Sequence, residues 1–157
     1  MPEARYNLSQ ITDAEINSIA RGIIHDAFNI QYTYEACLKD SVSETDKSLF
    51  KQDQKLYGPK LQTLRLDTAG TTNESEWNQE VVKLLTAKAR SITFIDAHSS
   101  NDLSTITGVD WSSLFAARID RIISDARNLK SKGISYSDIK NKKAHRSMLV
   151  TVHVYTS

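Results

Sequence analysis

The amino-acid sequence predicts a mainly α-helical fold of four helices, with short β segments between them and a strand at the C-terminal end. Three observations lead to this expectation. Apolar residues recur at intervals of three and four in several stretches, which places them on one face of a helix. Residues that favour helix caps precede these stretches. Near the C-terminus, apolar and polar residues alternate as they do in a strand.

Length and composition favour a single domain over residues 1–157. The chain has 157 residues, 39% of them hydrophobic and 25% charged, which is ordinary for a protein with one buried core. Lys and Arg number 20 against 19 Asp and Glu, so a site for a polyanion has to be local. Cys37 has no second cysteine to pair with, which favours a reducing compartment.

No stretch of the sequence is apolar enough to cross a bilayer, and residues 1–20 lack the apolar segment of a signal peptide. We therefore expect no membrane partner and no exported precursor. The five glycines are too scattered to form a phosphate-binding loop, so the sequence also predicts no nucleotide cofactor.

The first helix is predicted to begin at Thr12, because Thr12 and Glu15 have the spacing of a capping box. Its apolar face continues to Leu38 and predicts one long helix. A second, shorter helix with Leu49 to Tyr57 on it should stop at the Gly58-Pro59 pair and form an antiparallel hairpin with the first.

Between the second and third helices, residues 61–67 are predicted to be a strand followed by a turn over residues 68–73. Asn73 and Glu76 resemble a helix cap and predict a third helix that ends near Arg90.

The fourth helix is the clearest element of the sequence, with a cap at Asp110 and a stop at Gly133. A polar loop over residues 96–109 should precede this helix. After it come a basic cluster at residues 140–146 and the predicted terminal strand, residues 147–155.

Two sets of residues have the chemistry of a catalytic or metal site. Asp96, His98 and Asp102 offer oxygen and nitrogen ligands, but solvated loop residues are the favoured interpretation. A small metal-independent ribonuclease needs proton transfer and a cation near the phosphate. Such groups are present near the C-terminus, where a solvated surface is again the favoured interpretation: His145, Arg146, His153 and Tyr155.

Three arginines punctuate the fourth helix, where planar guanidinium groups are able to hold phosphate: Arg118, Arg121 and Arg127. Asp120 and Asp125 lie between them. A salt-bridged outer face is therefore the favoured interpretation of this pattern.

The order of these elements resembles the coat-protein family of rod-shaped plant viruses, which includes that of tobacco mosaic virus. The chain length is also similar. The local likeness is greatest in the C-terminal half, at residues 80–85, residues 92–96, Val109-Asp110, Ser135-Tyr136 and Leu149-Val150.

The resemblance implies a four-helix bundle that packs side by side in a helical rod and holds single-stranded RNA between its turns. The arginines that it assigns to RNA are Arg90, Arg118 and Arg121, with Lys47 as a looser candidate. The family has arginine directly before the Val-Asp pair, whereas this sequence has Thr107 and Gly108.

The function expected from the resemblance is a non-enzymatic, self-assembling capsid subunit that encloses single-stranded RNA, found in the virion and the host cytoplasm. Two alternatives remain open at this point. One is a phage tail or neck component that uses the terminal strand to complete a neighbour's sheet. The other is the small ribonuclease or toxin built on the C-terminal histidines.

Overall fold

The computed structural model describes residues 6–7, 12–94 and 109–133, and this part of the chain is mainly helical. Two two-residue strands, β1 (Tyr6–Asn7) and β2 (Thr93–Phe94), pair in parallel. A 3-10 helix occupies Thr33–Leu38. The described α-helices are α1 (Asp13–Phe28), α2 (Glu44–Gln52), α3 (Gln54–Tyr57), α4 (Glu76–Ile92) and α5 (Trp111–Ser131).

The predicted start of α1 is confirmed, but its predicted length is wrong. The Thr12 side chain accepts a hydrogen bond from the Glu15 N–H at 3.2 Å. The helix ends at Phe28 because Asn29 adopts the left-handed conformation with φ 54°, which asparagine tolerates at helix ends. The apolar spacing past this point belongs to the separate 3-10 helix.

The predicted second helix is divided at Asp53, which ends α2 and caps α3 by accepting from the N–H groups of Lys55 and Leu56. It stops before Gly58 as predicted, where an added Cβ would lie 2.6 Å from the Gln54 carbonyl oxygen. The predicted hairpin is not the main packing, because α1 packs mainly on α4 and the 3-10 helix.

Residues 61–67 do not form the predicted strand. Leu64 and Leu66 are both buried, as the alternation suggested. The Leu64 N–H, however, bonds to the Ala27 carbonyl, and the Leu66 carbonyl accepts from the Val42 N–H. The segment is thus held by two different parts of the chain and lacks the repeated pairing of a sheet.

Helices α4 and α5 pack against each other along much of their length. The cap of α4 is Ser75 and not the predicted Asn73, and α4 ends two residues beyond Arg90. The limits of α5 are confirmed, because Asp110 accepts from the Ser113 N–H at 3.1 Å and Gly133 has φ +66°. Apolar residues from α1, α2, α4, α5, the 3-10 helix and residues 64–66 share one buried cluster.

Several predictions concern residues outside the described part of the chain. They include the terminal strand at residues 147–155, the basic cluster at residues 140–146 and most of the polar loop at residues 96–109. The fold shown is therefore mainly α-helical, and the four-helix bundle and C-terminal strand stay predictions. Within the described helices, none has the length and apolar character needed to cross a membrane.

Candidate nucleic-acid interface

Arg118 lies where α5 meets α1. The buried face of α5 includes Phe115, Ile119 and Ile122, and Arg118 lies at the edge of this face, three residues after Phe115 and four before Ile122. Its Nη2 donates to the Asn17 Oδ1 of α1 at 3.0 Å. The guanidinium is therefore half-buried and held at the boundary between two helices.

Arg21 lies on α1 one turn after Asn17, and residues at this spacing are neighbours on a helix surface. Burial lowers the pKa of the Arg118 guanidinium, and the positive charge of Arg21 lowers it further. The charged group that most affects the pKa of Arg118 is thus a second cation, Arg21. This pair has the like-charge repulsion that a bound anion would relieve.

Arg121 follows Arg118 by three residues and is exposed on the same side of α5. Within the ranges that the structure describes, none of the ion pairs involves Arg21, Arg118 or Arg121. We call these three residues the α1–α5 arginine site. Among the described residues no carboxylate pairs with its positive charge, so its guanidinium groups are able to donate to phosphate oxygens.

His25 lies one turn beyond Arg21 on α1. Its Nε2 is 2.7 Å from the Thr33 Oγ1 of the 3-10 helix. Burial lowers the pKa of His25, and Arg21 lowers it further, whereas Glu35 acts in the opposite direction. The imidazole therefore favours its neutral form and joins α1 to the 3-10 helix.

On the opposite flank of α5, charged side chains form hydrogen bonds with the segment that precedes α4. Asp120 accepts from the backbone N–H and the hydroxyl of Thr72, at 2.8 and 3.2 Å. Arg127 Nε donates to the Thr68 carbonyl at 2.6 Å. In the described residues these contacts, and the Arg118–Asn17 bond, replace the salt bridges that the sequence suggested for the outer face.

Lys47 lies on α2, away from the arginine site. Its ammonium contacts Glu44 at 2.8 Å and Asp67 at 3.4 Å, and 19% of its side chain is exposed. The hydrogen bond to Glu44 is the main cause of its raised pKa. A shallow groove next to Lys47 is bordered on the α5 side by Arg127 and Lys130.

Arg90 is exposed in the last turn of α4. Two hydrogen bonds from Ser113 lower the pKa of Asp110, and the positive charge of Arg90 makes a smaller contribution. Arg90 is thus near the start of α5, and Arg118 lies eight residues after Asp110, about 12 Å along the helix axis. The structure brings Arg118 and Arg121 together, with Arg90 toward one end and Lys47 elsewhere.

Sequence reasoning missed Arg21, which belongs to no motif. The available signal was the polar spacing of Asn17, Arg21 and His25 at intervals of four, which marks one flank of α1. That spacing identifies the flank but not the helix that faces it.

No protein-family model, curated protein or solved structure matches this chain. In the part that the structure describes, no group of three His, Cys, Asp or Glu side chains is placed to hold a metal ion. The predicted metal candidates Asp96, His98 and Asp102 lie outside that part. So do the ribonuclease candidates, which are His145, Arg146, His153 and Tyr155.

Proposed function

We propose that this chain is a structural subunit that self-assembles into a helical particle and encloses single-stranded RNA, like the coat proteins that it resembles. The observation that carries this proposal is the α1–α5 arginine site, whose guanidinium groups form no ion pair with a carboxylate in the described part of the chain. Arg118 and Arg121 are the principal RNA contacts, joined by Arg21, with Arg90 extending the surface. Lys47 is a weaker candidate because Glu44 and Asp67 already contact its charge.

The chemistry of phosphate binding fits this site. A guanidinium donates two parallel hydrogen bonds to phosphate oxygens, and such charge-assisted bonds are stronger than neutral ones. The phosphate would also relieve the repulsion between Arg21 and Arg118. One subunit offers few contacts, but contacts from successive subunits add along one RNA strand. The nearly balanced net charge of +1 is compatible with RNA binding that follows subunit association.

Assembly is the second part of the proposal. The subunit would be a four-helix bundle in which α2 and α3 together form the second helix, with residues 147–155 as a strand that contacts a neighbour. A head-to-tail interface that does not close on itself generates an open helix of subunits. The subunit would be found in the virion and in the host cytoplasm.

Negative-stain electron microscopy of the purified protein across pH and salt, with the absorbance ratio at 260 and 280 nm, tests the assembly proposal. We expect open helical particles that contain RNA. Protein that stays monomeric and free of nucleic acid in every condition would contradict the proposal, and closed rings would point to a tail or neck component.

The arginine assignment is tested by RNA packaging in a variant with Arg90, Arg118 and Arg121 all changed to Gln. We expect the RNA content per assembled subunit to fall sharply. A variant with Lys51, Lys55 and Lys83 changed to Gln loses the same charge from exposed positions on α2, α3 and α4, outside the α1–α5 arginine site, and should package RNA normally. Equal RNA content in both variants would show that the site is wrong.

A further inference from the structure

Tyr32 and Tyr34 form a stacked pair at the start of the 3-10 helix. Their ring centroids are 5.8 Å apart and the rings are nearly parallel, with an interplanar angle of 9°. Tyr34 is half-buried, whereas 53% of Tyr32 is exposed. The outer tyrosine therefore presents a large aromatic surface to solvent while the inner one supports it.

The backbone at this pair is fixed by Glu35. Its carboxylate accepts from the N–H groups of Gln31 and Tyr32 at 2.8 and 2.7 Å. Charge-assisted bonds of this kind are strong, so the start of the 3-10 helix is held in one conformation. An aromatic ring held in place before a ligand arrives loses little conformational freedom on binding.

The 3-10 helix that carries the tyrosine pair packs against the two helices of the α1–α5 arginine site. Thr33 lies between the two tyrosines in the sequence and contacts His25, which lies four residues, about 6 Å along the helix axis, beyond Arg21 on α1. The 3-10 helix packs against both α1 and α5, the two helices that carry the arginines. Aromatic and cationic groups are thus combined on neighbouring elements.

We propose that Tyr32, supported by Tyr34, stacks on a base of the single-stranded RNA whose phosphates bind the α1–α5 arginine site. This inference rests on the proposed function and adds a base contact to it. Every nucleotide base has a flat π face, so stacking tolerates any sequence. The bases of a duplex already stack on each other, so the platform favours single strands.

The direct test is fluorescence anisotropy with a short labelled single-stranded RNA and the Tyr32→Ala and Tyr32→Phe variants. Loss of one base–aromatic stack should weaken binding by about 5- to 150-fold in Tyr32→Ala. Tyr32→Phe keeps the ring and should bind like the wild type. Tyr57→Ala removes another exposed tyrosine, on α3, and serves as the matched control with unchanged binding.

Salt dependence and a second polyanion separate stacking from charge. Tyr32→Ala should leave the slope of log affinity against log salt unchanged, because it removes no phosphate contact. It should also bind heparin, which has no bases, as the wild type does. Arg118→Gln should weaken binding to both RNA and heparin and lower the salt slope by about 0.7.

The outcomes distinguish the two proposals. If wild-type protein binds RNA through its arginines but Tyr32→Ala binds equally well, the stacking inference is wrong and the RNA-binding function stands. Equal weakening for RNA and heparin in Tyr32→Ala would also overturn the stacking inference. Wild-type protein that binds no RNA at low salt would overturn both. Circular dichroism should confirm that every variant is folded.

Discussion

The two flanks of α5 carry charged residues at similar spacing but use them differently. On the flank that faces residues 68–72, which we call the loop flank, Asp120 bonds to Thr72 and Arg127 bonds to the Thr68 carbonyl. On the flank that faces α1, which we call the α1 flank, the bond that Arg118 makes within the described residues is to the neutral side chain of Asn17, and Arg118 lies near the cation of Arg21. The loop flank bonds to residues 68–72, whereas the α1 flank carries the positive charge that we propose binds RNA.

The difference arises from what faces each flank. Residues 68–72 are not helical, so their N–H and C=O groups lack intrahelical partners; the Thr72 N–H donates to Asp120 and the Thr68 carbonyl accepts from Arg127. The backbone of α1 is already bonded within its own helix, so α1 offers only side chains. A charged side chain that faces a loop can therefore form hydrogen bonds with its backbone, whereas one that faces a helix can bond only to its side chains.

The largest effect is expected where the loop flank is held in place. Asn78 is fully buried; its Oδ1 accepts from the Asp67 N–H, and its Nδ2 donates to the Asp67 and Gly70 carbonyls. Asn78→Ala leaves three buried backbone groups without this partner. The free energy of unfolding should fall by about 3 kcal/mol, measured by urea denaturation followed by circular dichroism.

Asn73→Ala is the matched control, because Asn73 is exposed just before α4 and its side chain makes none of these bonds. It should change the unfolding free energy by less than about 0.5 kcal/mol. Similar stability losses in the two variants would mean that the buried amide does not fix the loop. While it remains folded, Asn78→Ala should still bind RNA, because the α1 flank is not altered.

The second prediction abolishes the contrast between the flanks by giving the α1 flank a carboxylate. Asn17→Asp keeps the shape of the side chain and places a negative charge against Arg118. Single-stranded RNA affinity should fall about tenfold, the equivalent of one charge-assisted contact. Stability should change by less than about 1 kcal/mol, because exposed ion pairs contribute little.

Asn17→Ala removes the same hydrogen bond without adding charge, so it should bind RNA nearly as well as the wild type. Fluorescence anisotropy on the two variants and the wild type provides the comparison. If Asn17→Asp and Asn17→Ala bind RNA with the same affinity, then the charge of Arg118 plays no part in binding.

Local signals were sufficient to predict α5 and the start of α1, because caps and helical spacing lie within a few residues of each other. They failed at Asn29, because the apolar spacing continues from α1 into the 3-10 helix and hides the break. They also failed at Leu64 and Leu66, whose backbone partners, Ala27 and Val42, come from two distant segments. The alternation of apolar and polar residues correctly indicated that Leu64 and Leu66 are buried, but it does not determine which backbone groups bond to them.

The candidate site shows the same limit. The helical spacing predicted that Arg118 and Arg121 lie on one regular helix, while their assignment to RNA came from the resemblance. The contact between Arg118 and α1 joins residues 101 positions apart, so the position of Arg21 beside it depends on tertiary packing. The neutralisation of Lys47 by Asp67, which is 20 positions away, was hidden for the same reason.

The smallest expected effect concerns pH and the α1 flank. Burial and Arg21 lower the pKa of His25 below its ordinary value of 6.5, although Glu35 opposes them. Well above pH 6.5 the ring is neutral in both the folded and unfolded states. As the pH falls from 6.5 through the lowered folded pKa, the unfolded state binds the proton first, so stability is lost.

Urea denaturation above and below pH 6.5 measures this loss, and His25→Gln should lose less stability than the wild type on acidification. The other histidines are the same in both proteins, so the difference isolates His25. Arg21→Gln should give an intermediate loss, because the burial of His25 remains while the repulsion from Arg21 is removed. If the wild type and His25→Gln lost equal stability, His25 would not sense the cations of the α1 flank. In its effect on nearby charges, the α1 flank would then resemble the loop flank more closely than the position of Arg21 indicates.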